Sequence, residues 1–487
     1  MARIAVSPSQ ELAVTTDELA EGLQEQRGRA SGKRLPRRNV IFGICALGLF
    51  MASIDATIVA TALGKIDSEL HSPVNWGGWS ITIYQLGQII AMPLAGKISD
   101  QFGRKKVFLV AVGVFTVASL ACGLSTSIYM LVPLRFVQAL GGGAFLPSAS
   151  GIVSDHFGEN RDRALGMFTS IFPIGGIAGP VFGGLITQDW TWRAIFFINI
   201  PVGILLISLG MRFIPVVKPV GRRAVDKVGV ALLAGTLISG MYGITTLGDK
   251  GSSPARPNFI VAEVLALTLG YLFLRHSKRD ENAFIPHRLL LGKGFGTMNG
   301  INILYGTTAL GFGALVPLYA EHRYHIRIAD AGTLLSARAV GMISVAAVAA
   351  FMLRRTGYHL PMIIGFTSIA IGLVMLSVHP PAGFSPYWWL ALWSMLTGLG
   401  MGCSAPATNN ATLQLAPDQV AAIAGQRGMF RQSGGIIYIS IATAILARGS
   451  TAHIQADIQG HIFLVQAAIL VVMMLLVFRV PNHKGTW

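Results

Sequence analysis

Two charged residues stand where an apolar chain rarely puts them. Asp55 interrupts an apolar run at 40–63, and Arg135 interrupts another at 128–152. A charge at bilayer depth costs at least a few kcal/mol, so each needs a partner or a task. If the runs are helices crossing in opposite directions, Asp55 lies about eight residues, roughly 12 Å, from the outer end of its span. Arg135 lies about seven residues from the outer end of its own, so the two can meet. An arginine beside an aspartate favours the ionised acid, whereas burial favours the protonated one. A site that alternates between these surroundings loads and releases a proton. The alternative is a static ion pair that fixes one span against the other.

Three further ionisable groups fall inside apolar runs: Glu263, Arg338 and Arg431. Arg431 sits near the end of its run, where a long side chain can reach the interface. Arg338 is deeper and faces a cavity or Asp330, and Glu263 has no assigned role. No acid falls well inside a run of the carboxy-terminal half, which weighs against substrates carrying two positive charges.

The elements that must hold these groups are helices. The chain has 487 residues, 52% hydrophobic and 12% charged, whereas soluble domains carry about 25% charged residues. Lipid is therefore the expected solvent. Spanning it takes roughly 20 apolar residues in helical form. Fourteen such runs are predicted, at 40–63, 76–97, 106–124, 128–152, 163–187, 194–213, 227–247, 257–274, 296–320, 329–352, 361–378, 387–414, 428–447 and 461–480. Most of the 38 basic residues fall on alternate connectors. The positive-inside rule then puts both termini in the cytoplasm and favours an even number of spans in an inner membrane. The formal charge of +16 is read as this loop bias, and no nucleic-acid partner is expected.

The connectors at 212–227 and 275–293 are the longest and most basic. They divide the chain into a cytoplasmic tail (1–39), a six-helix bundle (40–213), connectors with an inserted seventh and eighth helix (214–295), a second six-helix bundle (296–480) and a short cytoplasmic tail (481–487). Two six-helix blocks fit a carrier built of related bundles. Cys45, Cys122 and Cys403 lie in apolar runs without CxxC spacing, so no disulfide, metal or cofactor is expected. HExxH, Walker and GxSxG strings are missing in the required context, so no enzyme chemistry is expected.

Several strings carry a resemblance. The loop after the second run reads GKISDQFGRKK, with Gly96, Asp100, Gly103, Arg104, Lys105 and Lys106 in order. The fifth run reads GMFTSIFPIGGIAGPVFGG, with Gly166, Gly175, Gly179, Pro180, Gly183 and Gly184. Glycines four apart share one helix face and permit close approach, and Pro180 removes a backbone bond. With MASIDATIVATAL around Asp55, LRFVQALGGG around Arg135 and WRAIFFINIPVG at 192–203, these strings resemble the fourteen-helix drug:proton antiporters of the major facilitator superfamily. The likeness is strong over 40–210. In the carboxy-terminal half it rests on GLGMG at 398–402 and RQSGG at 431–435. One departure is that the first span ends ATALGKI, where relatives usually have an asparagine and a proline.

The resemblance implies an all-α membrane protein with the major facilitator fold. It implies proton coupling by Asp55 and Arg135, with Gly141 at a matching position. It also implies a gate in which Arg104 pairs with an acid of the loop SDHFGENRDRALG, which holds Asp155, Glu159, Arg161 and Arg163, when the inner face is closed. A midplane cavity is expected between the bundles. Its candidate polar handles are Tyr84, Gln85, Gln88, Gln138, Asn299, Asn302, Tyr305, Met401, Asn409 and Asn410, each of which can instead serve helix packing. The expected function is proton-coupled efflux of amphiphilic or cationic organic compounds from the cytoplasm. The alternatives are export of one dedicated metabolite or lipid, and a membrane sensor or enzyme. Lipid, protons and a small-molecule substrate are the expected partners, and a periplasmic adaptor stays open.

Overall fold

A computed structural model of the protein describes residues 38–71, 76–217, 226–246, 255–280, 283, 285–446, 451–480 and 482. The expected tails lie outside these apart from Arg38, Asn39 and Asn482. Among the described residues every regular element is helical. The long rods fall on the predicted runs: α1 (Arg38–Glu69), α2 (Trp76–Phe102), α3 (Arg104–Gly123), α4 (Ile128–Phe157), α5 (Arg161–Asp189) and α6 (Ala194–Phe213). An added pair follows, α7 (Lys227–Thr246) and α8 (Pro257–Arg279), then a short helix at His287–Leu291. The last six are α9 (Phe295–Tyr324), α10 (Ile328–Thr356), α11 (His359–Ser377), α12 (Pro386–Leu413), α13 (Val420–Leu446) and α14 (Ala452–Val477).

Ten of the described helices are long and apolar enough to cross a membrane, and bent α9 makes an eleventh. The others, α2, α12 and α13, have 27, 28 and 27 residues. They dilute their apolar content with Gly, Ser, Asn and Gln, and α12 is buried along nearly its whole second half. A rod enclosed by other rods needs small and polar residues for packing more than it needs lipid-facing bulk. Proline breaks account for the bends: α4 is interrupted at Ala144, after three glycines and before Pro147, and α9 bends by 44° near Pro317.

Three hydrophobic cores hold the assembly. One joins residues of α1–α6 to parts of α7, the short helix and α13. A second lies within 298–480. A smaller one, with Trp192 and Phe196, closes the far end of α1, α3 and α4. The added pair packs together, and α7 also touches α2 and α13. Trp79 of α2 stacks on Tyr242 of α7, their rings 6.2 Å apart.

Candidate functional site

Asp55 and Arg135 meet. Both are buried, at 1% and 0% exposure, and Arg135 Nη1 donates to Asp55 Oδ2 at 2.6 Å. The same guanidinium donates to Gln138 Oε1 at 2.7 Å and lies 3.9 Å from the Tyr84 ring centre. The second carboxylate oxygen, Oδ1, accepts from Gln138 Nε2 and from Asn199 Nδ2, each at 2.9 Å. Ser119 Oγ accepts from both amides, at 2.6 and 3.3 Å. Donors from α4 and α6 thus clamp the carboxylate of α1, with Ser119 of α3 behind the two amides. Glycine makes room for the clamp: a Cβ at Gly141 would stand 2.7 Å from the Ala111 carbonyl of α3.

The sequence pointed to Asp55 and Arg135 as a pair, offered Gln138 only as a cavity handle, and gave no role to Asn199 or Ser119. Asn199 sits inside the quoted WRAIFFINIPVG string, so its polar side chain in an apolar run was the available signal.

The gate residues lie at the opposite end of α2 and α3. Gly103 has φ 97°, a backbone region that favours glycine, and it turns the chain from α2 into α3. That turn sets Arg104 to donate to Asp100 at 3.1 Å, to the Gly151 carbonyl at 2.8 Å and to Asp155. A Cβ on Gly151 would stand 2.6 Å from Arg104 Cδ, so α4 needs a glycine there. Lys105 donates to the Met211 carbonyl at 2.8 Å. Gly96 packs on α13, where a Cβ would come within 2.8 Å of Ala422 Cα, and Asp100 accepts from the Ala422 backbone N–H.

Contacts between the two halves seal this face. Asn410 donates to the Asp162 carbonyl at 3.0 Å, Gln414 donates to Asp162 Oδ2 at 3.3 Å, and Asn409 donates to Thr169. Arg163 lies 3.4 Å over the Phe351 ring of α10. So Arg104 takes Asp155 as the resemblance implied, whereas Arg163 bridges to the other half through an aromatic face.

The expected cavity handles do not gather in one place. Tyr84 and Gln138 belong to the Asp55 clamp. Gln88 receives a bond from Gln432 at 2.9 Å across the two halves, and Gln85, its neighbour on α2, is half-buried. Asn409 and Asn410 are taken up by their bonds to Thr169 and the Asp162 carbonyl. Asn299 holds the short helix through the Leu289 and Leu290 carbonyls at 3.0 and 2.9 Å, and Asn302 bonds its own helix at Met298. Tyr305 and Met401 face each other in the second core, the hydroxyl 3.5 Å from the Met401 carbonyl.

The glycine face of α5 splits in three. Gly175, Gly179 and Gly183 lie on α1, where a Cβ would stand 2.6 Å from Ser53 Cβ, 2.9 Å from the Ile54 carbonyl and 2.9 Å from the Ile58 carbonyl. Gly166 instead faces Ala350 and Pro406 of the other half, and Gly184 faces open space. Pro180 is half-buried beside them.

Packed membrane-spanning helices, an ion pair buried among the first of them and hydrogen bonds joining the two halves fit a polytopic membrane protein of the carrier type. The chain belongs to the Major Facilitator Superfamily, whose family model matches residues 45–275 and 298–487. It is 28% identical over 376 residues to Multidrug resistance protein 3 of Bacillus subtilis, covering 76% of this chain and 72% of that one. It is 29% identical over 407 residues to the Tetracenomycin C resistance and export protein of Streptomyces glaucescens, covering 82% and 74%. In fold it is similar to the proton:xylose symporter XylE, with TM-score 0.63 and 14% identity over 92% of this chain and 97% of that one.

Proposed function

We propose that the protein exports amphiphilic organic compounds from the cytoplasm across an inner membrane by alternating access, with each cycle driven by protons that Asp55 binds and releases. The observation that carries this reading is the clamp itself. Asp55 is held by Arg135, Gln138 and Asn199 while the two halves are joined at the gate face through Asp162, Asn409 and Asn410. One end state of the proposed carrier is thus one in which the buried acid has its full set of donors. In the other state the clamp opens, water reaches the carboxylate and a proton replaces the arginine. Each proton crossing 100 mV supplies about 2.3 kcal/mol, comparable to the few kcal/mol that separate the two states of a carrier.

Fourteen spans, six plus two plus six, with both termini and the gate face in the cytoplasm, complete the proposed topology. The multidrug relative favours a broad range of substrates, and the tetracenomycin C exporter favours one dedicated natural product. A substrate panel separates these. The test of the drive uses energised vesicles that contain the protein: dye efflux should stop when the proton gradient is collapsed, and efflux that continues unchanged would overturn the coupling.

A further inference from the structure

Three arginines converge in the carboxy-terminal half. Arg338 of α10 is 7% exposed and Arg427 of α13 is 4% exposed. Arg431, one turn on from Arg427, has its guanidinium 4.5 Å from the Tyr305 ring centre. Tyr305 lies within electrostatic reach of all three, and Arg431 within reach of the other two. Glycine contacts bring the backbones together. A Cβ at Gly306 would stand 3.0 Å from Arg431 Cα, and one at Gly398 would stand 3.0 Å from Arg338 Cα. Arg338 and Arg431 both turn onto α9, at Phe312 and Tyr305, and Arg427 lies one turn before Arg431 on α13.

Their partners are neutral. Arg338 donates to the Ala309 carbonyl at 3.0 Å and to Met401 Sδ, and it lies 4.4 Å from the Phe312 ring centre. Nε and Nη1 of Arg427 are buried with no hydrogen-bond partner among the described residues. The ion pairs among the described residues involve none of the three. The contrast with Arg135, which is matched by Asp55, is direct. Like charges at low dielectric repel, and neutral acceptors do not cancel the cost of burying them. A site of this kind wants an anion, and guanidinium forks suit a carboxylate. Tyr305, Phe312 and Met401 give it apolar walls.

We infer that Arg338, Arg427 and Arg431 form the anion-binding part of the substrate site, so that the carried molecules are amphiphilic organic anions with a carboxylate or phenolate on an apolar body. This narrows the expected range of amphiphilic or cationic compounds to anions, and it rests on the export reading above for the direction of transport.

The test uses two xanthene dyes of one scaffold and opposite charge, anionic fluorescein and cationic rhodamine, with the purified full-length protein and fluorescence anisotropy as the readout. Fluorescein should bind about tenfold or more tighter than rhodamine, because each charge-assisted hydrogen bond is worth about 1.5–3 kcal/mol. Arg427→Gln and Arg431→Gln should each weaken fluorescein about tenfold or more on the same grounds and leave rhodamine unchanged. Arg431→Lys, which keeps the charge, should lose less. Equal binding of the two dyes, no fluorescein binding, or full binding by both Gln variants would overturn the inference. If the Gln variants fail to fold, competition on the unaltered protein decides. Naphthoate should displace fluorescein and naphthylmethylammonium should not, and the reverse order refutes the site.

The same dyes in proteoliposomes keep the two readings apart. Arginine-dependent binding with movement indifferent to the proton gradient sinks the coupled export and leaves the anion site. Gradient-driven efflux with no preference for the anion does the opposite.

Discussion

Donors reach both oxygens of the Asp55 carboxylate, so a proton added to either one must displace at least one of them. Arg135 holds one oxygen, and Gln138 and Asn199 hold the other. In Asp55→Asn the proton site is gone and Arg135 loses its counter-charge, a change that costs about 3–5 kcal/mol when a buried pair is broken. The expected outcome is a lower melting temperature in detergent and loss of gradient-driven efflux, with passive exchange of substrate between de-energised vesicles retained. Undiminished efflux from this variant would refute the role of Asp55. Asn199→Leu is expected to be milder, costing about 1.5–3 kcal/mol for one lost bond to a charged group, read as a smaller drop in the same melting experiment. The Asp55 and Arg135 encounter was legible in the sequence because a charge in an apolar run has few explanations and depth can be counted. Asn199 and Ser119 were not, because small polar side chains in helices so often bond their own backbone. Arg427 was missed for a plainer reason: the predicted run began at 428.

Among the elements, the contact of α1 with α5 rests on three glycines facing Ser53, Thr57 and Thr61. Any side chain at Gly179 must push the two rods apart. Gly179→Leu is therefore expected to abolish the folded protein, judged by size-exclusion profile and thermal unfolding. Gly184→Ala meets open space and should stay within about 0.5 kcal/mol of the parent. Loss of folding in Gly184→Ala would contradict the packing described. The sequence string displayed the glycine periodicity yet could not say which glycine faces what. The interruption of α5 at Ser170 turns Gly166 toward the other half, and no periodicity count carries through such a break.

For the whole molecule, the proposed gate face is where the bonds of Arg104 would set which way the carrier opens. Arg104→Ala removes the bonds to Asp100, Asp155 and the Gly151 carbonyl at one stroke. Half-exposed pairs contribute about 0.2–1 kcal/mol each, so the loss is small against folding but large against a gap of a few kcal/mol between carrier states. Spin labels placed on the 158–160 loop and near 414 should show a longer distance population in Arg104→Ala than in the parent. An unchanged distance distribution would show that the cluster does not govern opening. The order of the long helices could be read from hydropathy. The docking place of the added pair could not, because nothing in a hydropathy profile says which neighbours a lipid-facing rod will choose.

That docking place matters once the halves move. The seventh rod rests on α2 and on α13, one from each side of the seam, with Tyr242 stacked on Trp79. A body leaning on two others that swing apart keeps at most one of its seats. On the proposed alternating-access cycle each turnover would peel α7 from one neighbour and let acyl chains flow into the opened crevice, so the fluidity of the surrounding bilayer would brake the rate of the cycle.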